Sequence, residues 1–187
     1  MTFIFGYGSL IWKADFPYKN KYSAYITGYV RRFWHSSNDH RGTIESPGRV
    51  VTLISKADWV SVFEKYDPHP AEDFVWGVVY ELFDSDVDQV FEYLDYREKN
   101  GYVLKKVSAY VKDIKETVEC SVYLAPINDE CFVGPIKESL EETARVIAKS
   151  KGPSGENYEY LFNLMHALQD DCLHLVELRK LVNESRK

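Results

Sequence analysis

Apolar residues come first. Phe3, Ile4 and Phe5 read as a short buried strand that Gly6 and Gly8 break at once. The span 22–34 is dense in Tyr, Ile, Val, Phe and Trp and predicts one long strand. A polar stretch follows from His35 to Gly42 and on to Pro47-Gly48. It predicts a loop of about a dozen residues, a length that is often functional in a compact domain. Residues 49–54 predict another strand. Trp59, Val62, Phe63 and Tyr66 recur at helical spacing and predict a short helical insertion over 57–73. The near-continuous apolar run 74–82 predicts a strand.

The helix pattern is clearest over 85–99. Val87, Val90, Phe91 and Leu94 fall at i, i+3, i+4 and i+7, Ser85 and Asp88 match a capping box, and Asn100-Gly101 is a helix stop. Strands are predicted over 102–112 and 118–124, and helices over 137–150, 157–169 and 172–184, with Gly152-Pro153-Ser154-Gly155 between the first two. These elements predict an α+β fold: a mixed, mostly antiparallel sheet, curled toward a small barrel, with flanking helices.

Composition narrows the class. A chain of 187 residues, 45% hydrophobic and 15% aromatic, suits one domain with a sizeable core. A net charge of -6 argues against nucleic acid or an anionic membrane as partner. No apolar run approaches the roughly 18 residues of a membrane span. Nor does the N-terminus have the basic start of a signal peptide. Cys120, Cys131 and Cys172 are odd in number and lack CxxC spacing, so they read as reduced thiols in a cytoplasmic protein.

Two features bear chemistry. Phe5-Gly6-Tyr7-Gly8-Ser9-Leu10 is a strand-to-turn junction whose glycines tolerate φ > 0 and let a ligand approach the main chain. Its N–H groups and the Ser9 hydroxyl can hold an anion or a polarised carbonyl oxygen. It also reads as an ordinary tight turn. The third glycine of a dinucleotide fingerprint is Ile11 here, and no Gly-Lys-Ser/Thr follows.

Glu98 continues the apolar stripe of the 85–99 helix, four residues after Leu94. A carboxylate there is costly unless partnered or useful, and burial would tune it for acid/base work. Pairing with Arg97 or Lys99 is the competing reading. Arg41 and Arg49 flank the polar loop and could grip a carboxylate bidentately, or pair with surface acids. Tyr158 and Tyr160, after the Gly-Pro-Ser-Gly turn, read as packing or binding residues. His35, Asp39, His40 and Glu45 have no standard metal-ligand spacing, so no metal is expected.

Taken together, collinear stretches resemble the ChaC family of γ-glutamylcyclotransferases, in its glutathione-specific branch. They are the segment from Phe5 to Trp12, Arg31-Arg32-Phe33-Trp34, Asp39-His40-Arg41-Gly42, Pro47-Gly48-Arg49-Val50-Val51-Thr52-Leu53, Trp76-Gly77-Val78, Tyr93-Leu94-Asp95 with Arg97-Glu98, Gly101-Tyr102, Gly134-Pro135, and Gly152-Pro153-Ser154-Gly155 through Tyr160-Leu161. The resemblance implies the γ-glutamylcyclotransferase fold as one domain over 1–187. Two stretches depart from the family's pattern: a segment at about 55–73 that is longer than the usual link and reads as an insertion, and a weakly matching C-terminal helical extension. It implies an enzyme without cofactor or metal that cleaves reduced glutathione to 5-oxoproline and Cys-Gly, as a monomer or weak homodimer. It puts the general acid/base on Glu98 and substrate binding on Phe5, Gly6, Tyr7, Gly8, Ser9 and Leu10, with Arg41, Arg49 and Tyr160 as candidates for the substrate carboxylates. A cyclotransferase for other γ-glutamyl compounds, a non-catalytic binder and an interaction protein are the alternatives.

Overall fold

The computed structural model describes residues 1–98, 101–168 and 172–187. Lys99, Asn100 and Gln169, at the ends of two expected helices, lie outside the described residues. Strands β1 (Phe3–Gly6), β5 (Val75–Glu81), β2 (Asn20–Ile26), β6 (Val103–Val111) and β7 (Glu116–Leu124) pair in that order into a closed barrel. All of its pairings are antiparallel except β1 with β7, which are parallel and close it. Its lumen is filled by residues such as Ala24, Ile26, Val79, Ala109 and Val111, which share one face of the paired strands and are each at most 1% exposed, so it is a packed core and leaves no channel.

The expected long strand over 22–34 is two strands in two sheets. Gly28, at φ +79°, turns the chain out of the barrel between β2 and β3 (Tyr29–Ser37), a conformation that glycine reaches without steric cost. β3 pairs with β4 (Gly48–Ser55) in a separate two-stranded sheet, and the register shifts between Arg32 and His35. One face of this pair covers a small second core of Val30, Trp34, Ile54, Trp59, Phe63 and Phe132.

The expected helical insertion is shorter than its spacing suggested. A single turn α1 (Lys56–Asp58), capped by the Ser55 hydroxyl, runs into a π-helical turn at Trp59–Phe63, which contributes Trp59 and Phe63 to that second core. The rest of the insertion is irregular and is organised by fully buried Arg32. Its guanidinium binds the carboxylates of Asp67 (2.7 Å) and Glu72 (2.6 Å) and the carbonyl of Pro70 (2.8 Å). A carboxylate pair on one guanidinium does the ordering that a hydrophobic stripe does elsewhere.

Helix α2 (Val87–Arg97) buries Val90 and Leu94 against the barrel. It begins two residues later than expected. The Ser85 hydroxyl bonds the Asp86 carboxylate, so the expected capping box does not form. A short turn α3 (Gly134–Lys137) precedes α4 (Leu140–Lys149). That helix carries a full capping box, with Ser139 Oγ on the Glu142 N–H and Glu142 Oε2 on the Ser139 N–H. A small hairpin, β8 (Lys151–Gly152) and β9 (Gly155–Glu156), leads into α5 (Asn157–Leu168), and α6 (Leu173–Ser185) completes the helical layer against α4 and α5.

Candidate functional site

After Gly6 the chain leaves the barrel and winds into one 3-10 turn, Ser9–Ile11, closed by Ile11 N–H to Gly8 C=O (2.9 Å). The expected reason for the glycines needs correcting. Neither has positive φ; Gly8 sits at −124°. They are glycines because the space is taken. A Cβ on Gly6 would stand 2.8 Å from Leu10 Cβ, and one on Gly8 would stand 2.8 Å from the Tyr160 hydroxyl and 3.1 Å from Val51 Cγ2. Gly6 therefore packs against the turn itself. Gly8 faces a cavity.

That cavity is about 330 Å³, within the range of small-molecule sites. Phe5, Tyr7, Gly8, Ser9, Leu10, Arg41, Tyr160 and Glu98 all line it. Residues from β1, the loop after β3, the end of α2 and helix α5 thus meet at one place.

Glu98 is the first residue past α2. Its N–H still bonds the Leu94 carbonyl (2.8 Å), but its backbone has left helical geometry (φ −98°, ψ 25°), and its side chain is one-fifth exposed. Burial pushes this carboxyl above its ordinary range; Arg97 pulls it back and Asp39 pushes it further up. Arg97 Nε stands 3.5 Å from Glu98 Oε1, while another nitrogen of the same guanidinium donates to Ser9 Oγ at 2.6 Å. The acid and the glycine turn are joined through one side chain.

Phenols form the rest of the wall. The Tyr7 hydroxyl donates to the Tyr123 carbonyl (2.9 Å), and the Tyr123 hydroxyl to Asp95 (2.5 Å). Tyr102 and Tyr160 are the other two beside Glu98. Burial raises all four well above the ordinary phenol range, and the Glu98 charge adds to it. They stay protonated at any working pH; the single O–H groups of Tyr7 and Tyr123 are already given to the bonds above, which leaves Tyr102 and Tyr160 as candidate donors to a ligand. The Tyr160 ring is wedged between Trp12 (5.4 Å) and Phe33 (5.8 Å), with the Arg41 guanidinium 5.7 Å from its centroid. Arg41 also donates to the Glu156 carbonyl at 2.9 Å.

Arg49 departs from expectation. It does not line the cavity. Its guanidinium forks onto Glu138 at 3.0 and 2.6 Å, and its main chain exchanges two 2.7 Å bonds with the Asn157 amide. It ties β4 to the helical layer, and a carboxylate already occupies the fork that a substrate would need. Sequence reasoning also missed Tyr123 and Asp39 as parts of this wall, and Asp95 as the acceptor that holds the Tyr123 hydroxyl. Tyr102 was legible only through its place after Glu98 and Gly101. Tyr123 carried no signal, because β7 is buried on both faces from Cys120 to Leu124.

Among the described residues, one group reaches metal-ligand spacing: Asp67, His69 and His174, within 4.8 Å of one another. They fit a cation poorly. His174 Nε2 accepts the Phe33 N–H (3.2 Å), which leaves the ring proton on Nδ1, and Arg32 and Trp59 already hold Asp67 Oδ2. His69 Nε2 meets Glu177 at 2.7 Å. These contacts fasten the insertion to α6.

A family model described as ChaC-like protein matches residues 2–185. The chain belongs to the ChaC family. Among its relatives are the glutathione-specific γ-glutamylcyclotransferase of Saccharomyces cerevisiae, 40% identical over 88% of this chain and 84% of that protein, and glutathione-specific γ-glutamylcyclotransferase 1 of Danio rerio, 41% identical over 90% and 80%. The crystal structure of a γ-glutamyl cyclotransferase specific to glutathione from yeast matches with a TM-score of 0.87 at 38% identity, covering 99% of this chain and 96% of that one. The small closed barrel with flanking helices is therefore a fold this ChaC chain shares with that enzyme. No helix among the described residues is long and apolar enough to cross a membrane.

Proposed function

We propose that this ChaC protein is a glutathione-specific γ-glutamylcyclotransferase that converts reduced glutathione to 5-oxoproline and Cys-Gly. One observation carries the reading: a carboxylate of raised pKa and a glycine turn line the same cavity, in a chain whose relatives bear that activity in their names.

The reaction is intramolecular. The glutamyl α-nitrogen bonds to its own γ-carbonyl carbon, the bond from that carbon to the cysteinyl nitrogen breaks, and no water enters. Glu98 takes the proton that the α-ammonium must lose and returns it to the departing nitrogen. Burial suits it to both steps, because a carboxyl pushed toward neutrality exchanges protons more evenly with an amine. The oxyanion formed on the γ-carbonyl is met by main-chain N–H groups of the Tyr7–Leu10 turn and by the phenols of Tyr102 and Tyr160. Holding the nitrogen against the carbonyl supplies about 7–11 kcal/mol of the barrier reduction in well-oriented cases.

Arg41, beside Tyr160, is the candidate partner for a substrate carboxylate. The unpaired Cys120, Cys131 and Cys172 suit the reducing cytoplasm where glutathione is abundant, and we assign the protein there as a monomer or weak homodimer. Purified protein mixed with glutathione should release 5-oxoproline by mass spectrometry, and γ-glutamyl-alanine should not substitute. Absence of 5-oxoproline from folded protein would sink the assignment, and equal turnover of γ-glutamyl-alanine would remove the glutathione specificity.

A further inference from the structure

Arg97 is the last residue of α2, directly before Glu98, and its side chain is 14% exposed. Three contacts fix it: Ser9 Oγ at 2.6 Å, the Lys13 carbonyl at 3.4 Å, and Glu98 Oε1 at 3.5 Å from its Nε. Two of them lie in and just after the glycine turn, and the third is the carboxylate across the cavity. A planar guanidinium has the reach and fork geometry to hold both at once, and a lysine ammonium does not. No direct hydrogen bond between Arg97 and Glu98 uses up the carboxylate, which stays available to a proton. The pair is set for field rather than for capture.

We propose that Arg97 is a positioning residue for the cyclisation: it fixes the oxyanion-binding turn relative to Glu98 and keeps that carboxylate ionised when the substrate arrives. The inference rests on Glu98 being the base. Among the described residues, the titratable groups of other elements that act on Glu98 are Asp39 of the loop after β3 and the phenols of Tyr7, Tyr102, Tyr123 and Tyr160, and Lys13, Asp15, His35, His40 and Arg41 line the same cavity. The phenols hold their protons throughout, and Asp39 opposes ionisation. Arg97 is then the charge among the groups acting on Glu98 that favours its carboxylate form.

The test is the pH profile of kcat/KM for glutathione in Arg97→Met, Arg97→Gln, Arg97→Lys and Ser9→Ala proteins, each checked for folding by circular dichroism. Removing the charge should carry the acid limb to higher pH, so that on this limb the Met and Gln proteins fall about tenfold further than on their alkaline plateau. Arg97→Lys restores the charge without the fork: the limb returns toward its wild-type place while the plateau stays low. Ser9→Ala lowers the plateau and leaves the limb where it was. A limb that stays put in both neutral variants overturns the inference, and so does a limb that moves equally in Ser9→Ala. Glu98→Gln separates the two levels. If it is inactive while the Arg97 limb is unmoved, only the role of Arg97 falls; if it turns over glutathione, the base assignment falls and this inference with it.

Discussion

Replacing Gly8 by alanine puts a methyl 2.8 Å from the Tyr160 hydroxyl and 3.1 Å from Val51 Cγ2, where ordinary contact begins at 3.4 Å. Something must move by about 0.6 Å. The tyrosine cannot swing away cheaply: it is 6% exposed and braced by Trp12 and Phe33. The turn is braced as well, through Ser9 and Arg97. Forced overpacking of this kind costs about 1–3 kcal/mol, or roughly 3–10 °C in Tm for a chain of this size. The same displacement pulls the oxyanion donors from their place, and about an ångström of misplacement can cost 100-fold. Gly8→Ala should therefore lower kcat/KM for glutathione by about 10- to 100-fold, read by 5-oxoproline release. Tyr160→Phe removes the atom in conflict. In a double-mutant cycle, the Gly8→Ala/Tyr160→Phe protein should be more stable than the two single changes predict by about 1 kcal/mol. A Gly8→Ala protein with wild-type Tm and kcat/KM would refute the crowding argument and reduce the turn to a plain connection.

Three further outcomes are expected. Glu98→Gln should abolish 5-oxoproline formation and also raise Tm. The folded-state pKa of this carboxyl is raised, so its ionised form costs stability once pH exceeds that value and costs nothing below its ordinary 4.5. The Tm gain should accordingly be largest at alkaline pH and vanish near pH 4 in calorimetry. Arg49→Ala leaves the Glu138 carboxylate, 13% exposed, with the Thr143 hydroxyl but without its cation, and should cost roughly 3 kcal/mol in urea melts while the KM for glutathione of the folded protein stays unchanged; a raised KM would return Arg49 to the site. Arg41→Ala should raise that KM about 30-fold, the worth of one charge-assisted hydrogen bond, with a smaller effect on kcat, and an unchanged KM would leave the substrate carboxylates to other groups.

Much of this was legible in one dimension. The strands from Phe3, Arg49, Val75 and Val118, the stripe of Val90 and Leu94 in α2, and the C-terminal helices follow from period and propensity, which are local properties of the chain. So does Glu98 as an acid on an apolar stripe. The glycine turn and the Arg-Glu pair are short motifs whose order along the chain suffices to mark a family.

What the chain alone left open were the relations between distant residues. That Arg49 belongs to Glu138 and Arg41 to the cavity depends on how β4 meets α4 and α5, and both arginines read alike in sequence. The break at Gly28 sends two strands of similar composition into different sheets. Gly8 is required by a tyrosine hydroxyl far along the chain, and Glu98 owes its raised pKa to burial among residues distant in sequence. Periodicity reports which face of an element is apolar. Only packing decides which charges share a low-dielectric space, and there their mutual field sets the chemistry.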